Sequence, residues 1–121
     1  MSSTIDYEKD CRIDSRALDV EWLRQPELMR KYARHAAKMK AAMDEAKERL
    51  DVVKAQLDTA IRNDPDKYGL GRVTESAIQN SVILQREYTE AYHEFTEARY
   101  ENEIAQGVVR AIDQRKTALE N

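Results

Sequence analysis

The feature that most constrains this chain is an uninterrupted apolar repeat between residues 26 and 62. The spacing alternates between three and four residues, which is the a/d pattern of a helix that packs on another helix. The stretch is rich in Ala, Lys, Glu, Met and Leu, which all favour helix, and no Gly interrupts it. It predicts one long helix over 26–62, about 55 Å in length. The repeat comprises Met29, Tyr32, Ala36, Met39, Met43, Ala46, Leu50, Val53, Leu57 and Ala60.

A second repeat follows a segment that is rich in helix breakers. Residues 63–74 contain Pro65, Gly69 and Gly71 and are predicted to form a loop. Thr74 is a good N-cap for a second long helix over 75–121. Because the loop is short, the two helices are expected to form an antiparallel hairpin. The second repeat comprises Ser81, Leu84, Tyr88, Ala91, Phe95, Ala98, Asn102, Ala105, Val109, Ile112, Lys116 and Leu119.

The N-terminal region shows no such period. Residues 1–12 are polar and are predicted to be a flexible arm. Within the segment 13–24, Asp14 and Ser15 are good N-caps for a short helix from Arg16 to Arg24. Pro26 disfavours helical geometry at the preceding residue, so this helix is expected to end before the long one begins. The length of 121 residues fits a single helical domain.

The composition favours self-association. Charged residues make up 36% of the chain and the mean hydropathy is -0.80, which is too polar for a thick core in a monomer. We therefore expect a coiled-coil homo-oligomer held by the two repeats. Asn102 within the repeat either faces a wet groove or specifies register, and the sequence leaves both open. The expected oligomer seam is Met39, Met43, Leu50, Val53, Leu57, Phe95, Asn102, Val109 and Ile112.

No pattern of catalytic or metal-binding residues is evident. His35 and His93 fall in different predicted helices, without a Cys or carboxylate cluster at ligand spacing. The Glu residues between 87 and 103 are spaced as on a solvated helix face. We therefore expect no enzymatic activity, no metal and no cofactor. A lone thiol, Cys11, and the absence of a signal peptide or an apolar run of membrane length favour a cytoplasmic protein without membrane contact.

The most informative cluster is basic. Residues 27–40 contain only one acid, Glu27. Like charges spaced four apart weaken a helix by a few tenths of a kcal/mol per pair, so a polyanion is a candidate partner. Tyr32 and Tyr68 could stack on bases, or Tyr32 could be a repeat residue and the charges could simply keep the helix soluble. The basic residues are Arg30, Lys31, Arg34, Lys38 and Lys40.

Several short stretches resemble the UvsY family of phage recombination mediators. The likeness begins with Ile13-Asp14-Ser15, followed by Leu18 and Glu21, and reaches a Lys-aromatic pair at Lys31-Tyr32. The family's Lys-Ala-Arg-Leu-Asp stretch, tied to binding of single-stranded DNA, is similar to 54–58 here. Gln56 replaces the family's Arg, so only Lys54 carries over. The end of the chain is similar to the family's last helix at Ala111-Ile112, Arg115 and Ala118-Leu119.

This resemblance implies a mediator rather than an enzyme. Such a protein binds single-stranded DNA weakly and helps a RecA-type recombinase to displace the single-stranded-DNA-binding protein. A homo-oligomer would gather several weak basic faces around one strand. A phage-encoded mediator would act in the host cytoplasm. The alternative is a coiled-coil scaffold or regulator that binds only protein.

Overall fold

The computed structural model describes residues 5–120, and this part of the chain is helical without any strand. Its two long helices pack against each other. The chain divides into two compact units. The terminal unit comprises the described residues of Met1–Ala41 and Tyr100–Asn121, and the central unit comprises Ala42–Arg99. The α-helices are α1 (Tyr7–Asp10), α2 (Leu18–Asn63), α3 (Glu75–Leu84) and α4 (Arg86–Glu120).

In the terminal unit, α2 and α4 run antiparallel. The side-chain amide of Gln25 donates to the carbonyl of Ile112 at 2.7 Å, and that of Gln106 donates to the carbonyl of Ala36 at 3.4 Å. Residue numbers thus rise along one helix as they fall along the other. The apolar core of this unit is formed by Leu28, Tyr32, Val108 and Ile112, with Cys11, Met29, Ile104 and Val109 at its edge.

In the central unit, the loop helps to close the core. Residues Pro65–Tyr68 form a short 3₁₀ helix, and Gly69 ends it with a left-handed φ of 72°, which glycine adopts without strain. The hydroxyl of Thr74 accepts a hydrogen bond from the amide of Ala77, so Thr74 is the N-cap of α3 as predicted. The core consists of Ile61, Ile78 and Val82, with Leu57, Tyr68, Leu70 and Tyr88 packed against it.

The predicted separation of helices 13–24 and 26–62 is wrong, because α2 passes through Pro26 without ending. The three-and-four spacing continues backwards from Tyr32 through Leu28 and Gln25 to Glu21, and all four side chains are buried. Gln25 also bonds the backbone of α4. These contacts on both sides of Pro26 hold the helix together despite the missing N–H.

The predicted helix 75–121 is also interrupted, since Gln85 adopts an extended conformation between α3 and α4. The side-chain amide of Gln85 donates to the carbonyl of Ser81 at 3.0 Å, taking the acceptor that its own backbone N–H would use in a continuous helix. The predicted repeat position Leu84 is consequently 81% exposed, whereas Ile78 and Val82 of the same helix, which are not in the predicted repeat, are buried. Residue 121 lies outside the described part.

The predicted flexible arm, 1–12, is ordered where the structure describes it. Residues 1–4 lie outside the described part, but α1 occupies Tyr7–Asp10. The side chain of Asp6 caps α1 by accepting from the amide of Lys9 at 3.2 Å. The next residues reach the core, since Asp10 is buried and Cys11 is half-buried. The burial of this segment could not be predicted from its polar sequence, because the residue that is buried, Asp10, is charged.

The repeat residues are largely covered within the chain itself. All nine residues of the expected oligomer seam are buried or half-buried in the hairpin. The repeats therefore mark the contact between α2 and its neighbours in the same chain, and the homo-oligomer stays a prediction. Asn102 accepts a hydrogen bond from Gln106 at 3.1 Å, whereas Lys116 at the end of the second repeat is exposed. No helix in the described range is long and apolar enough to cross a membrane.

Candidate nucleic-acid interface

Three of the predicted DNA-binding residues form one exposed stripe on α2, which we call the basic stripe: Arg30, Arg34 and Lys38. Each lies two positions from a buried residue, Tyr32 or Ala36, and two positions correspond to about 200° around an α-helix. The stripe therefore lies on the side of α2 away from the core. Its members are exposed and form no ion pair with another residue in the range 5–120.

The other three predicted residues lie elsewhere. Lys40 is four positions from Ala36 and hence at the margin of the buried side, away from Lys38. Lys54 is exposed in the central unit, beside a shallow groove that also contains Asp58. Lys31 is half-buried and paired, with its ammonium 2.9 Å from the carboxylate of Asp10. Of the six predicted DNA-binding residues, three therefore form the basic stripe. Lys40 and Lys54 lie apart from it, and Lys31 is paired with Asp10.

An open groove of about 420 Å³ lies along the basic stripe in the terminal unit. Four cationic side chains line it against two carboxylates. Two of these cations, Arg30 and Arg34, belong to the stripe and are unpaired. An open groove with this charge excess attracts anions. The lining residues are Asp10, Arg24, Glu27, Leu28, Arg30, Lys31 and Arg34.

At one side of this groove, the carboxylate of Asp10 accepts hydrogen bonds from three side chains. Its carboxylate accepts from Arg24 at 2.6 Å, from Lys31 at 2.9 Å and from the hydroxyl of Tyr32 at 2.7 Å. Burial raises the pKa of Asp10, but the bonds from Tyr32 and Lys31 and the charges of Lys31 and Arg24 outweigh it, so the pKa lies below its usual 3.8. Burial and the same carboxylate raise the pKa of the Tyr32 hydroxyl. Asp10 therefore stays ionised at neutral pH.

A second polar cluster lies inside the terminal unit. The guanidinium of Arg115 pairs with the carboxylate of Glu21 and donates to the side-chain oxygen of Gln25 at 2.6 Å and to the carbonyl of Arg12 at 3.4 Å. Arg115 is 3% exposed and Glu21 is 6% exposed. Burial lowers the pKa of Arg115. We call these side chains, Glu21, Gln25 and Arg115, the buried polar cluster.

Neither this cluster nor the role of Asp10 is among the features predicted from the sequence. A signal for the cluster exists, because Glu21 and Gln25 continue the apolar spacing of α2 and Arg115 follows Ile112 by three residues in α4. Polar residues at core positions of two helices are expected to pair. No comparable signal marks Asp10, whose partners lie 14 to 22 positions away in the sequence.

The aromatic residues of the stacking hypothesis are not free. Tyr32 is 1% exposed and its hydroxyl is bonded to Asp10, so it is a core residue that cannot stack on a base. Tyr68 is half-buried, with the ammonium of Lys67 5.7 Å from its ring centre. The two histidines belong to different units: His35 lies in the terminal unit, and His93 lies in the central unit, 3.5 Å from the carboxylate of Glu97. Among residues 5–120, no group of three or more potential metal ligands is present.

Comparison with known proteins adds no relative. No family model matches the chain, and no curated protein or solved structure matches it either. The resemblance to the UvsY family therefore remains a hypothesis carried by the residues quoted above. What the described residues provide at this interface is an unpaired basic stripe, an open groove and a carboxylate that neutralises part of it.

Proposed function

We propose that this chain binds single-stranded DNA through the basic stripe of α2 and acts as a recombination mediator. The observation that carries the proposal is that Arg30, Arg34 and Lys38 are exposed and unpaired while spaced four residues apart. Along the helix axis this places a positive charge about every 6 Å. The repulsion between these charges is uncompensated within the described chain, and a phosphate backbone would compensate it.

Other basic residues of the protein support this reading by contrast. Arg62 bonds Asp58 and Glu75, Arg86 bonds Glu90, and Lys47 bonds Asp51. These cations have carboxylate partners within the central unit, whereas no carboxylate among residues 5–120 pairs with the stripe in the terminal unit. Contacts to phosphates carry no sequence information, so we expect binding with little sequence preference. The preference for a single strand follows from the resemblance to the mediators.

The mediator role requires more than one basic face on a strand. We propose a homo-oligomer whose effective concentration converts weak contacts into avidity, and which assists a RecA-type recombinase against the single-stranded-DNA-binding protein. Because the repeats are covered within the chain, the contact between copies would use other residues. Exposed apolar side chains in the terminal unit are available for it: Leu18, Val20, Trp22 and Leu23.

The decisive experiment is a salt titration of oligonucleotide binding. Replacing Arg34 and Lys38 by Ala removes two phosphate contacts per subunit, so the log–log slope should fall by about 1.4, at about 0.7 per phosphate on a single strand. Helix content should persist, because Ala is the best helix former. Fluorescence anisotropy of a labelled oligonucleotide measures the slope and the affinity.

A matched control separates the stripe from net charge. The double variant Lys47→Ala/Arg86→Ala removes the same charge from exposed residues that already have carboxylate partners. It should bind DNA with almost the parent's slope. If both double variants lose affinity equally, the effect is one of net charge and the stripe is not the interface.

The second candidate function is a scaffold that binds only protein. Exposed apolar side chains close together at the start of α2 favour it: Leu18, Val20, Trp22 and Leu23. Such exposure is typical of contact surfaces between proteins when it is clustered. If the parent binds no oligonucleotide at low salt, this candidate replaces the mediator.

A further inference from the structure

The three donors around Asp10 converge on one point, as donors do in a site for an anion. Arg24 bonds one oxygen of the Asp10 carboxylate, and Lys31 and the hydroxyl of Tyr32 bond the other. All three donors belong to α2, whereas the acceptor belongs to the segment that precedes it. An Arg, a Lys and a hydroxyl are the groups that proteins use to hold a phosphate. The donors of this site thus belong to α2, and the carboxylate that occupies it belongs to α1.

This site adjoins the basic stripe. The groove that contains Arg30 and Arg34 is also lined by Arg24, Lys31 and Asp10. A polyanion lying along the stripe would therefore reach Arg24 and Lys31 as well. In the structure both cations are paired with Asp10, whose single negative charge offsets one of their two positive charges. Arg24 also lies 3.9 Å from the carboxylate of Glu21.

The segment that carries Asp10 has few other attachments. Helix α1 is four residues long, and residues 5–9 are exposed. Cys11 packs at the edge of the core, and the carbonyl of Arg12 receives one long hydrogen bond, 3.4 Å, from Arg115. A segment with so few buried contacts can open locally without unfolding the helices.

We propose that Arg24, Lys31 and Tyr32 form a phosphate site which Asp10 occupies in the free protein and from which a DNA phosphate displaces it. The inference rests on the proposed function for the identity of the ligand, and it adds an autoinhibitory contact to it. Residues 6–12 then act as an intramolecular competitor of the nucleic acid. Displacement frees two cations, which add to the contacts of the basic stripe.

Two variants that each remove one negative charge from this segment test whether Asp10 competes with the oligonucleotide. Asp10→Asn keeps the size of the side chain but removes its charge, so the oligonucleotide should bind on the order of tenfold more tightly at 0.1 M salt. The salt slope should stay near that of the parent, because the same phosphates are contacted once Asp10 has been displaced. Asp6→Asn removes the same charge from the same segment, and Asn still caps α1. This control should leave the affinity and the slope near those of the parent.

The parent protein reports displacement directly through its single cysteine. Cys11 is half-buried beside Asp10, and burial raises the pKa of its thiol, so both access and reactivity are reduced. If DNA displaces the segment, a neutral maleimide should modify Cys11 faster when a saturating oligonucleotide is present. In Asp10→Asn, modification should already be fast and the oligonucleotide should change it little. Inorganic pyrophosphate, tested in parallel, supplies the phosphate chemistry without a nucleic acid.

The outcomes separate this proposal from the proposed function. If the parent binds the oligonucleotide but Cys11 modification does not accelerate and Asp10→Asn behaves like Asp6→Asn, the autoinhibitory contact is refuted and the DNA-binding function stands. If the oligonucleotide does not bind but pyrophosphate accelerates modification, the phosphate site stands and its nucleic-acid ligand is refuted. If neither ligand has an effect, Asp10 is only a structural anchor and both proposals fall.

Discussion

The two units of this protein are stabilised by different kinds of core. The central unit buries Ile61, Ile78 and Val82, and its ion pairs, such as Arg62 with Glu75, lie at the surface. The terminal unit buries an apolar cluster together with ionised side chains, including Arg115 and Asp10. An apolar contact depends on area and volume, whereas a buried charge requires particular partners at particular distances. We therefore expect the terminal unit to be more sensitive to single polar substitutions and to pH.

The largest effect is expected from breaking the buried polar cluster. Arg115→Ala removes the hydrogen-bonded cation from the buried carboxylate of Glu21 and leaves it only the longer contact with Arg24, at 3.9 Å. The loss of one partner of a buried pair costs about 3–5 kcal/mol. Chemical denaturation should show this loss in the free energy of unfolding. Arg110→Ala is the control, because Arg110 is exposed in the same helix and should change stability by less than about 0.5 kcal/mol.

The double variant Glu21→Leu/Arg115→Met sharpens this test. It removes both charges and fills the space with apolar groups, so most of the lost stability should return. If Arg115→Ala alone is as stable as the parent, the buried ion pair does not exist in solution, and the contrast between the two cores disappears.

The next effect concerns the apolar core of the central unit. Ile61→Ala removes a fully buried side chain and should lower the free energy of unfolding by about 2–4 kcal/mol through lost burial and a residual cavity. This loss should be the same at pH 4 and pH 7, because the side chains packed in this core are aliphatic or tyrosine, and neither kind titrates in that range. Val52→Ala, at an exposed position of the same helix, should have little effect.

The smallest effect concerns the hydrogen bond between Tyr32 and Asp10. Tyr32→Phe should cost about 1–3 kcal/mol at neutral pH, since it removes a buried donor to a carboxylate. Tyr88→Phe in the central unit should be nearly neutral, because its hydroxyl has no hydrogen-bond partner among the described residues.

The pH dependence of the same bond has a defined sign. The folded-state pKa of Asp10 is lowered, so its contribution to stability is complete above the unfolded value, near 3.8, and is lost as the pH falls through the folded value. The protection factors of the amides of residues 10–12, which correct for the intrinsic pH dependence of exchange, should therefore fall below about pH 4 in the parent but not in Asp10→Asn. Equal acid sensitivity in both proteins would mean that other carboxylates control this segment.

Much of the fold could be predicted because helix periodicity is a local property. The spacing of Tyr32, Ala36 and Leu50 identified the buried side of α2, and Thr74 marked the start of α3. The exposed basic stripe follows from the same period, since residues two positions from a core residue point away from it. The groove beside the stripe could not be predicted, because one of its walls includes Asp10 from a segment without any period.

The sequence by itself determined which faces of the long helices are apolar and where the loop between them falls, because 3.6 residues per turn and the breaker residues act over a few positions. Only the tertiary structure decided that α2 continues through Pro26, that the second long helix breaks at Gln85, and that Asp10 is buried. Each of these depends on a competition between a local preference and the hydrogen bonds of a specific side chain. Glu21 and Arg115, 94 positions apart, are partners because folding brings two desolvated charges together, and no local pattern encodes that distance.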